Sequence, residues 1–100
     1  MLIAHVKFTV STENRALTID TLKQEVEVVC AMKGCITFMP FLDLTNTQGV
    51  GVLHEWDSAD DFAAYIASDS FATIGRALRP IMVSPPVSKR FDATLIESVN

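Results

Sequence analysis

The chain has 100 residues, 49% of them apolar, and a net charge of −4. One domain of ordinary size is expected over residues 1–100, and no nucleic acid or anionic membrane is expected as a partner, because both bind basic surfaces. No apolar run approaches a membrane span, and His5 and Lys7 interrupt the apolar N-terminal stretch before it forms a secretion-type segment. These features predict a soluble, cytoplasmic protein.

Residues 2–10 alternate between an apolar face and a mixed face, which predicts a half-buried strand. Residues 15–32 then change to helical spacing, with Asp20, Lys23 and other polar residues away from the apolar positions. The apolar positions are Ile19, Leu22, Val26 and Val29. Gly34 follows, where a left-handed backbone commonly ends a helix.

Residues 35–43 and 50–56 are predicted to form a β-hairpin, since residues 45–49 between them have the composition of a turn. Pro40 lies within the first of these strands. Because proline cannot donate a ladder hydrogen bond, it predicts an edge strand or a bulge.

A second helical region is predicted from Ser58, with Asp61 in a capping-box position. Ser68 resembles a second cap, so a bend is expected near Ser68–Asp69. Pro80 and the following Pro85-Pro86 end the helical structure. Alternation over residues 87–96 predicts the last strand.

The predicted order is β-α-β-β-α-β, an α+β ferredoxin-like fold with a four-stranded antiparallel sheet. Two helical regions cover only one face of such a sheet. Strands 35–43 and 87–96 carry apolar residues that suggest both of their faces are buried. A homodimer that covers the second face is therefore expected.

Motifs across the whole chain resemble the antibiotic biosynthesis monooxygenase-like group of dimeric α+β barrel proteins. One is the Gly34-Cys35 entry to the second strand, and another is the strand–helix junction Glu55-Trp56-Asp57-Ser58. The further matching positions are Phe62, Tyr65, Ser68, Phe71 and Pro85-Pro86.

The resemblance implies a ligand cavity between the sheet and the second helical region. The residues it implies for substrate binding are Val52, Phe62, Phe71, Ile74 and Arg76. It also implies a cofactor-independent monooxygenase acting on a small aromatic, quinol or enolisable substrate. The axial His of the haem-degrading branch falls on Gly75, so no haem is expected. Few His and Cys residues leave no ligand set for a metal. A non-catalytic dimer that binds a hydrophobic small molecule, a structural barrel without a ligand and an isomerase of the same fold remain alternatives.

Four residues are candidates for chemistry, each with a plain structural alternative. Trp56 corresponds to the junction Trp of the polyketide oxygenases or simply seals the core. Tyr65 directs its hydroxyl to a ligand or to the protein. His5 and His54 lie on strands that are neighbours in this fold, and they could act as a pair of general bases if both point to one face. Arg76 and Arg79 could bind an anionic substrate group or a partner carboxylate, or simply interact favourably with the helix dipole.

Overall fold

The computed structural model describes residues 1–100 and confirms the predicted α+β ferredoxin-like fold. Its strands are β1 (Leu2–Thr9), β2 (Cys35–Leu42), β3 (Gly49–Trp56) and β4 (Val87–Asp92). Its helices are α1 (Arg15–Cys30), α2 (Ala59–Ile66) and α3 (Asp69–Leu78). Short 3₁₀ helices occupy Thr12–Asn14 and Arg79–Ile81. None of the helices combines the length and apolar character needed to cross a bilayer.

The four strands form one antiparallel sheet in the order β2-β3-β1-β4. β1 and β3 are central neighbours, and β2, which contains Pro40, is an edge strand, both as predicted. The expected irregularity in β2 lies between Cys35 and Thr37 rather than at Pro40. An edge position tolerates Pro40 because one side of the strand needs no ladder hydrogen bond.

The three helices cover one face of the sheet, and the hydrophobic core lies between the helices and that face. Because side chains alternate along a strand, every second residue of β1 and β3 enters this core. The sheet supplies Ala4, Phe8, Phe38, Val50, Val52 and Trp56, the residue after β1 supplies Val10, and the helices supply Leu22, Val29, Phe62, Tyr65 and Leu78. No helix packs on the other face, where Met39 is 48% exposed and Phe91 is 47% exposed.

The last strand differs from its prediction in length and in polarity. β4 ends at Asp92, and Ile96, which was predicted to lie in the strand, is 94% exposed. The pairing with β1 ends there: Leu2 pairs with Asp92, and the amide of Ala93 donates to the carbonyl of Met1. The helix-covered face of β4 carries Ser88, Arg90 and Asp92, so this strand is not apolar on both faces.

Two serine caps produce the predicted bend between α2 and α3. The amide of Asp61 donates to Ser58 Oγ at 3.1 Å, and the Ser58 hydroxyl donates to Asp61 Oδ2 at 3.0 Å. The amide of Phe71 donates to Ser68 Oγ at 3.2 Å. Each cap satisfies an amide that would otherwise lack a partner at a helix start. The second helix start redirects the chain so that Phe62, Tyr65 and Phe71 all pack toward the sheet.

Gly34 holds the turn from α1 into β2, and its replacement should be costly. Its φ is +79°, and a methyl group there would collide with the carboxylate of Asp61. We expect Gly34→Ala to lower the free energy of unfolding by about 2 kcal/mol or more. Gly75→Ala is the matched control, because a methyl there meets nothing closer than 3.7 Å and α3 favours alanine. Equal urea unfolding midpoints for the two variants would contradict this.

Candidate functional site

A cavity of about 140 Å³ lies between the helix-covered face of the sheet and the α2–α3 region. That volume is close to that of an apolar protein cavity of about 150 Å³ that accepts benzene, so one aromatic ring fits. Strands, helices and the segment before β4 all contribute residues to its apolar wall. The wall consists of Val6, Phe8, Leu22, Phe38, Val52, Phe62, Ile66, Phe71, Ile74, Leu78, Met82 and Pro86.

His54 brings an imidazole into this apolar wall, and Trp56 determines its tautomer. The indole Nε1–H of Trp56 donates to Nδ1 of His54 at 2.9 Å. An imidazole nitrogen accepts only when it carries no proton, so the proton of the neutral ring is on Nε2. Burial and the positive charge of Arg90 lower the pKa of His54 to about 4. Near pH 7, His54 is therefore neutral and offers an N–H donor.

Tyr65 is held between aromatic rings and also lines the cavity. It stacks on Trp56 with ring centroids 5.3 Å apart and meets the edge of Phe71 at 5.5 Å. Burial raises the pKa of Tyr65, and the charge of Glu25 adds to the shift, so the hydroxyl stays protonated.

Nε2 of His54 and the hydroxyl of Tyr65 have no hydrogen-bond partner in the protein. The fully buried side-chain atoms without a hydrogen bond are Arg15 Nε and Ser70 Oγ. Neither His54 Nε2 nor the Tyr65 hydroxyl belongs to that class or bonds to the protein, so both atoms keep some access to solvent, and both residues line the cavity. A ligand acceptor atom would satisfy them.

Two arginines complete the lining, and both are exposed at the rim. They are Arg79, which follows α3, and Arg90 of β4. The guanidinium carbon of Arg90 lies 4.9 Å from the ring centre of Phe62, and its Nε donates to Ser88 Oγ at 3.4 Å. No Asp or Glu lines the cavity. The site therefore combines hydrogen-bond donors with positive charge, an arrangement that favours electron-rich or anionic ligands.

The structure places six of the nine sequence-predicted site residues at the cavity. These are Val52, His54, Phe62, Tyr65, Phe71 and Ile74. Trp56 is fully buried behind the wall and contacts three residues that line the cavity, His54, Tyr65 and Phe62.

His5 and His54 do not form the pair of bases that the sequence left open. Ala4 pairs with His54, whereas His5 pairs with Leu53, so the two imidazoles lie on opposite faces of the sheet. His5 is exposed and meets the edge of Phe91 at 5.5 Å. Residues that are one position out of register on adjacent strands face opposite sides of the sheet, because side chains alternate along each strand.

Arg76 also lies outside the cavity, whereas Arg79, the other arginine expected to bind an anionic group, lines it. Nη2 of Arg76 is 3.5 Å from Thr73 Oγ1 on the exposed side of α3. Arg79, one turn later, lines the cavity instead, as does Arg90. Alternation along residues 87–92 could have grouped Ser88 with Arg90, but the sequence does not say which face of β4 meets the helices.

A second depression of about 250 Å³ lies at the opposite end of the sheet, beside Lys7, Asp43 and Asn46. It is more polar, and no His, Cys or Tyr lines it. Thr45 donates to Asp43 from its amide and its hydroxyl, which lowers the pKa of that carboxyl. These hydrogen bonds within the turn account for the lowered pKa of Asp43. No group of three or more His, Cys, Asp and Glu side chains in the chain is placed to hold a metal ion.

The family model described as antibiotic biosynthesis monooxygenase matches residues 1–77. No curated protein matches the sequence. Among solved structures, a provisionally assigned antibiotic biosynthesis monooxygenase from Nitrosomonas europaea superposes with a TM-score of 0.89 at 14% identity, covering 95% of this chain and 100% of its own. A counterpart with the same provisional assignment from Deinococcus radiodurans gives 0.88 at 19% identity, covering 100% and 97%. A conserved protein from Methanosarcina mazei Go1 gives 0.87 at 22% identity, covering 94% of each chain. At these identities the superpositions show a shared fold alone.

Proposed function

Because the chain belongs to the antibiotic biosynthesis monooxygenase family, we propose that it is a cofactor-independent monooxygenase acting on a small aromatic, quinol or enolisable substrate. One observation carries the proposal: the cavity has room for a single ring, and two buried residues that line it, His54 and Tyr65, have an Nε2–H and a hydroxyl without a protein partner. These groups are suited to a substrate oxygen that becomes negatively charged.

The two donors would stabilise the substrate as its phenolate or enolate. His54 cannot serve as the base at Nε2, because that nitrogen carries the proton while Nδ1 accepts from Trp56. Hydrogen bonds and a nearby guanidinium favour the ionised form of a bound phenol and so lower its pKa. Because no side chain of the lining is placed to accept a proton, the substrate would lose its proton to water before its ring enters the cavity and would bind as the anion.

The bound anion would then supply the electrons for the reaction with dioxygen. Transfer of one electron from the anion to dioxygen gives a substrate radical and superoxide. Their recombination forms a carbon–oxygen bond in an organic hydroperoxide, which loses water to leave a carbonyl. One oxygen atom enters the product, and the other leaves as water with two hydrogens of the substrate. The protein's part is to hold the ring, stabilise the anion and exclude water from the apolar wall.

Oxygen uptake tests the proposal. With monocyclic phenols and quinols and no added flavin, haem or metal, we expect one dioxygen consumed for each carbonyl product formed, with no hydrogen peroxide released. Arg76→Gln, which changes a residue outside the cavity, should keep the parent's rate. If a phenol binds saturably but uptake does not exceed that of a protein-free control, the oxygenase proposal is wrong.

The alternative is a non-catalytic protein that binds a hydrophobic small molecule. Its support is that no cavity side chain is placed to take a proton at neutral pH, since His54 and Tyr65 both act as donors. Saturable binding of the same phenols without oxygen uptake would favour this function.

We also propose that two copies pack through the uncovered sheet face. Its apolar side chains include Met39, Val87 and Phe91, all exposed in the single chain. Light scattering should give twice the chain mass of 11.0 kDa, with an interface of roughly 1,600 Å². We expect Phe91→Glu to shift the protein to monomer, because the interface would then bury an unpaired charge. Leu44→Glu, in a fully exposed turn, should leave the mass unchanged. A parent that is monomeric at micromolar concentration would contradict the dimer.

A further inference from the structure

We propose that the substrate is a monocyclic aromatic carboxylate, with its ring in the cavity and its carboxylate held at the rim by Arg79 and Arg90. The inference rests on the proposed function for the position of the ring. The new element is the carboxylate on the ring, which neither the apolar wall nor the donors of His54 and Tyr65 require.

The charge at the rim is the first argument. The chain has a net charge of −4, yet the charged residues that line the cavity are Arg79 and Arg90, with no Asp or Glu among the lining residues. Guanidinium groups in proteins commonly pair with carboxylates, and these two lack such a partner within the cavity lining. A ligand that brings an anionic group to this rim would supply the missing counter-charge.

Arg90 is positioned for this task by its strand and its neighbours. The pairing of Arg90 with Ala4 places it on the helix-covered face of β4, where apolar residues would be expected. Its guanidinium packs over the Phe62 ring at 4.9 Å, and Nε donates to Ser88 Oγ. The Ser88 contact uses Nε, which leaves the two terminal nitrogens for a ligand. A guanidinium held by such contacts loses less side-chain freedom when it binds a carboxylate.

Arg79 reaches the same cavity from the end of α3. Its Nε lies 3.7 Å from the point where a β-carbon at Gly75 would stand. The Arg79 side chain therefore lies back along α3 beside Gly75, and both residues line the cavity. Arg76 lies outside the cavity, with its Nη2 near Thr73 Oγ1.

The different burial of the polar groups determines which end of the ligand lies inside the cavity and which end lies at the rim. His54 and Tyr65 are 3% and 5% exposed, whereas Arg79 and Arg90 are exposed. A cavity of about 140 Å³ holds one ring. A ring with a hydroxyl at one end and a carboxylate at the other matches inner donors and an outer cationic rim. Arginine also binds the planar carboxylate through two parallel hydrogen bonds, which a neutral substituent cannot accept as strongly.

Binding of a matched pair of probes tests the inference without any turnover. Trp56 is the single tryptophan and stacks on Tyr65 at the cavity wall, so its fluorescence should report occupancy. We expect 4-hydroxybenzoate to bind at least about tenfold tighter than 4-hydroxybenzamide, which has nearly the same shape without the charge. Arg90→Gln should remove most of that preference by weakening the benzoate alone. Arg76→Gln should retain it.

Three outcomes would overturn the inference: equal affinities for the benzoate and the benzamide, no saturable binding of the benzoate, or equal losses in Arg90→Gln and Arg76→Gln. The failure of the proposed function would look different. Tight benzoate binding that depends on Arg90, but without oxygen uptake by any hydroxybenzoate, would remove the oxygenase and keep the carboxylate site. Oxygen uptake that is equal for neutral quinols and dihydroxybenzoates would remove the carboxylate site and keep the oxygenase.

Discussion

Trp56→Phe is expected to lower the free energy of unfolding by about 2–4 kcal/mol and also to weaken binding at a cavity that Trp56 does not line. Part of the loss comes from the space left by the smaller ring, because Trp56 is fully buried. The rest arises because Nδ1 of His54 loses its donor inside the protein. Binding weakens severalfold because His54 no longer keeps its proton on Nε2. Urea unfolding and phenol titrations measure the two effects.

Tyr65→Phe is the matched control for Trp56→Phe. It removes one hydroxyl, which has no protein partner, and almost no volume. We expect a free energy of unfolding within about 0.5 kcal/mol of the parent, together with weaker phenol binding. Nitrogen-15 chemical shifts of His54 separate tautomer control from simple packing: they should change in Trp56→Phe and not in Tyr65→Phe. A Tyr65→Phe variant that is destabilised but binds normally would make Tyr65 a packing residue only.

Lowering the pH from about 6.5 to about 4 is expected to cost the protein roughly 3 kcal/mol of stability through His54 alone. The folded protein keeps this imidazole neutral down to about pH 4, while the unfolded chain takes up a proton near pH 6.5. Between these values the unfolded state binds more protons, so stability falls as the pH falls. Above pH 6.5 both states are neutral, and the contribution does not change.

Two histidine variants isolate this effect in chemical unfolding experiments from pH 8 to pH 4. His54→Gln removes the titrating group while its amide oxygen can still accept from Trp56, so its stability should vary about 3 kcal/mol less than that of the parent. His5→Gln should follow the parent, because His5 is exposed on the opposite face of the sheet. A proton titration of the folded parent that finds the pKa of His54 near 6.5 would contradict the prediction.

The local chemistry of the sequence was enough to place most elements of the fold. Gly34 took the expected positive φ, although α1 ends earlier, at Cys30, and Gly34 lies in the turn into β2. The serines at 58 and 68 capped two separate helices, because capping depends on residues within a few positions. The strand order followed from topology rules for a β-α-β-β-α-β chain. The length of β4 did not follow, since it depends on where its partner strand begins.

The candidate site, too, has features that the sequence predicts and features that it does not. The apolar wall residues Phe62, Tyr65 and Phe71 could be predicted, since helical spacing and the family resemblance both indicate the inward side. Which face His5, His54 and Arg90 take could not, because alternation gives two faces to a strand but does not say which one the helices cover. Only the tertiary register placed His54 beside the Trp56 N–H and turned Arg90 toward the cavity. The sequence alone thus determined the fold and the apolar pocket wall, whereas the pairing of the strands decided the protonation of His54 and the positive charge that Arg90 brings to the cavity.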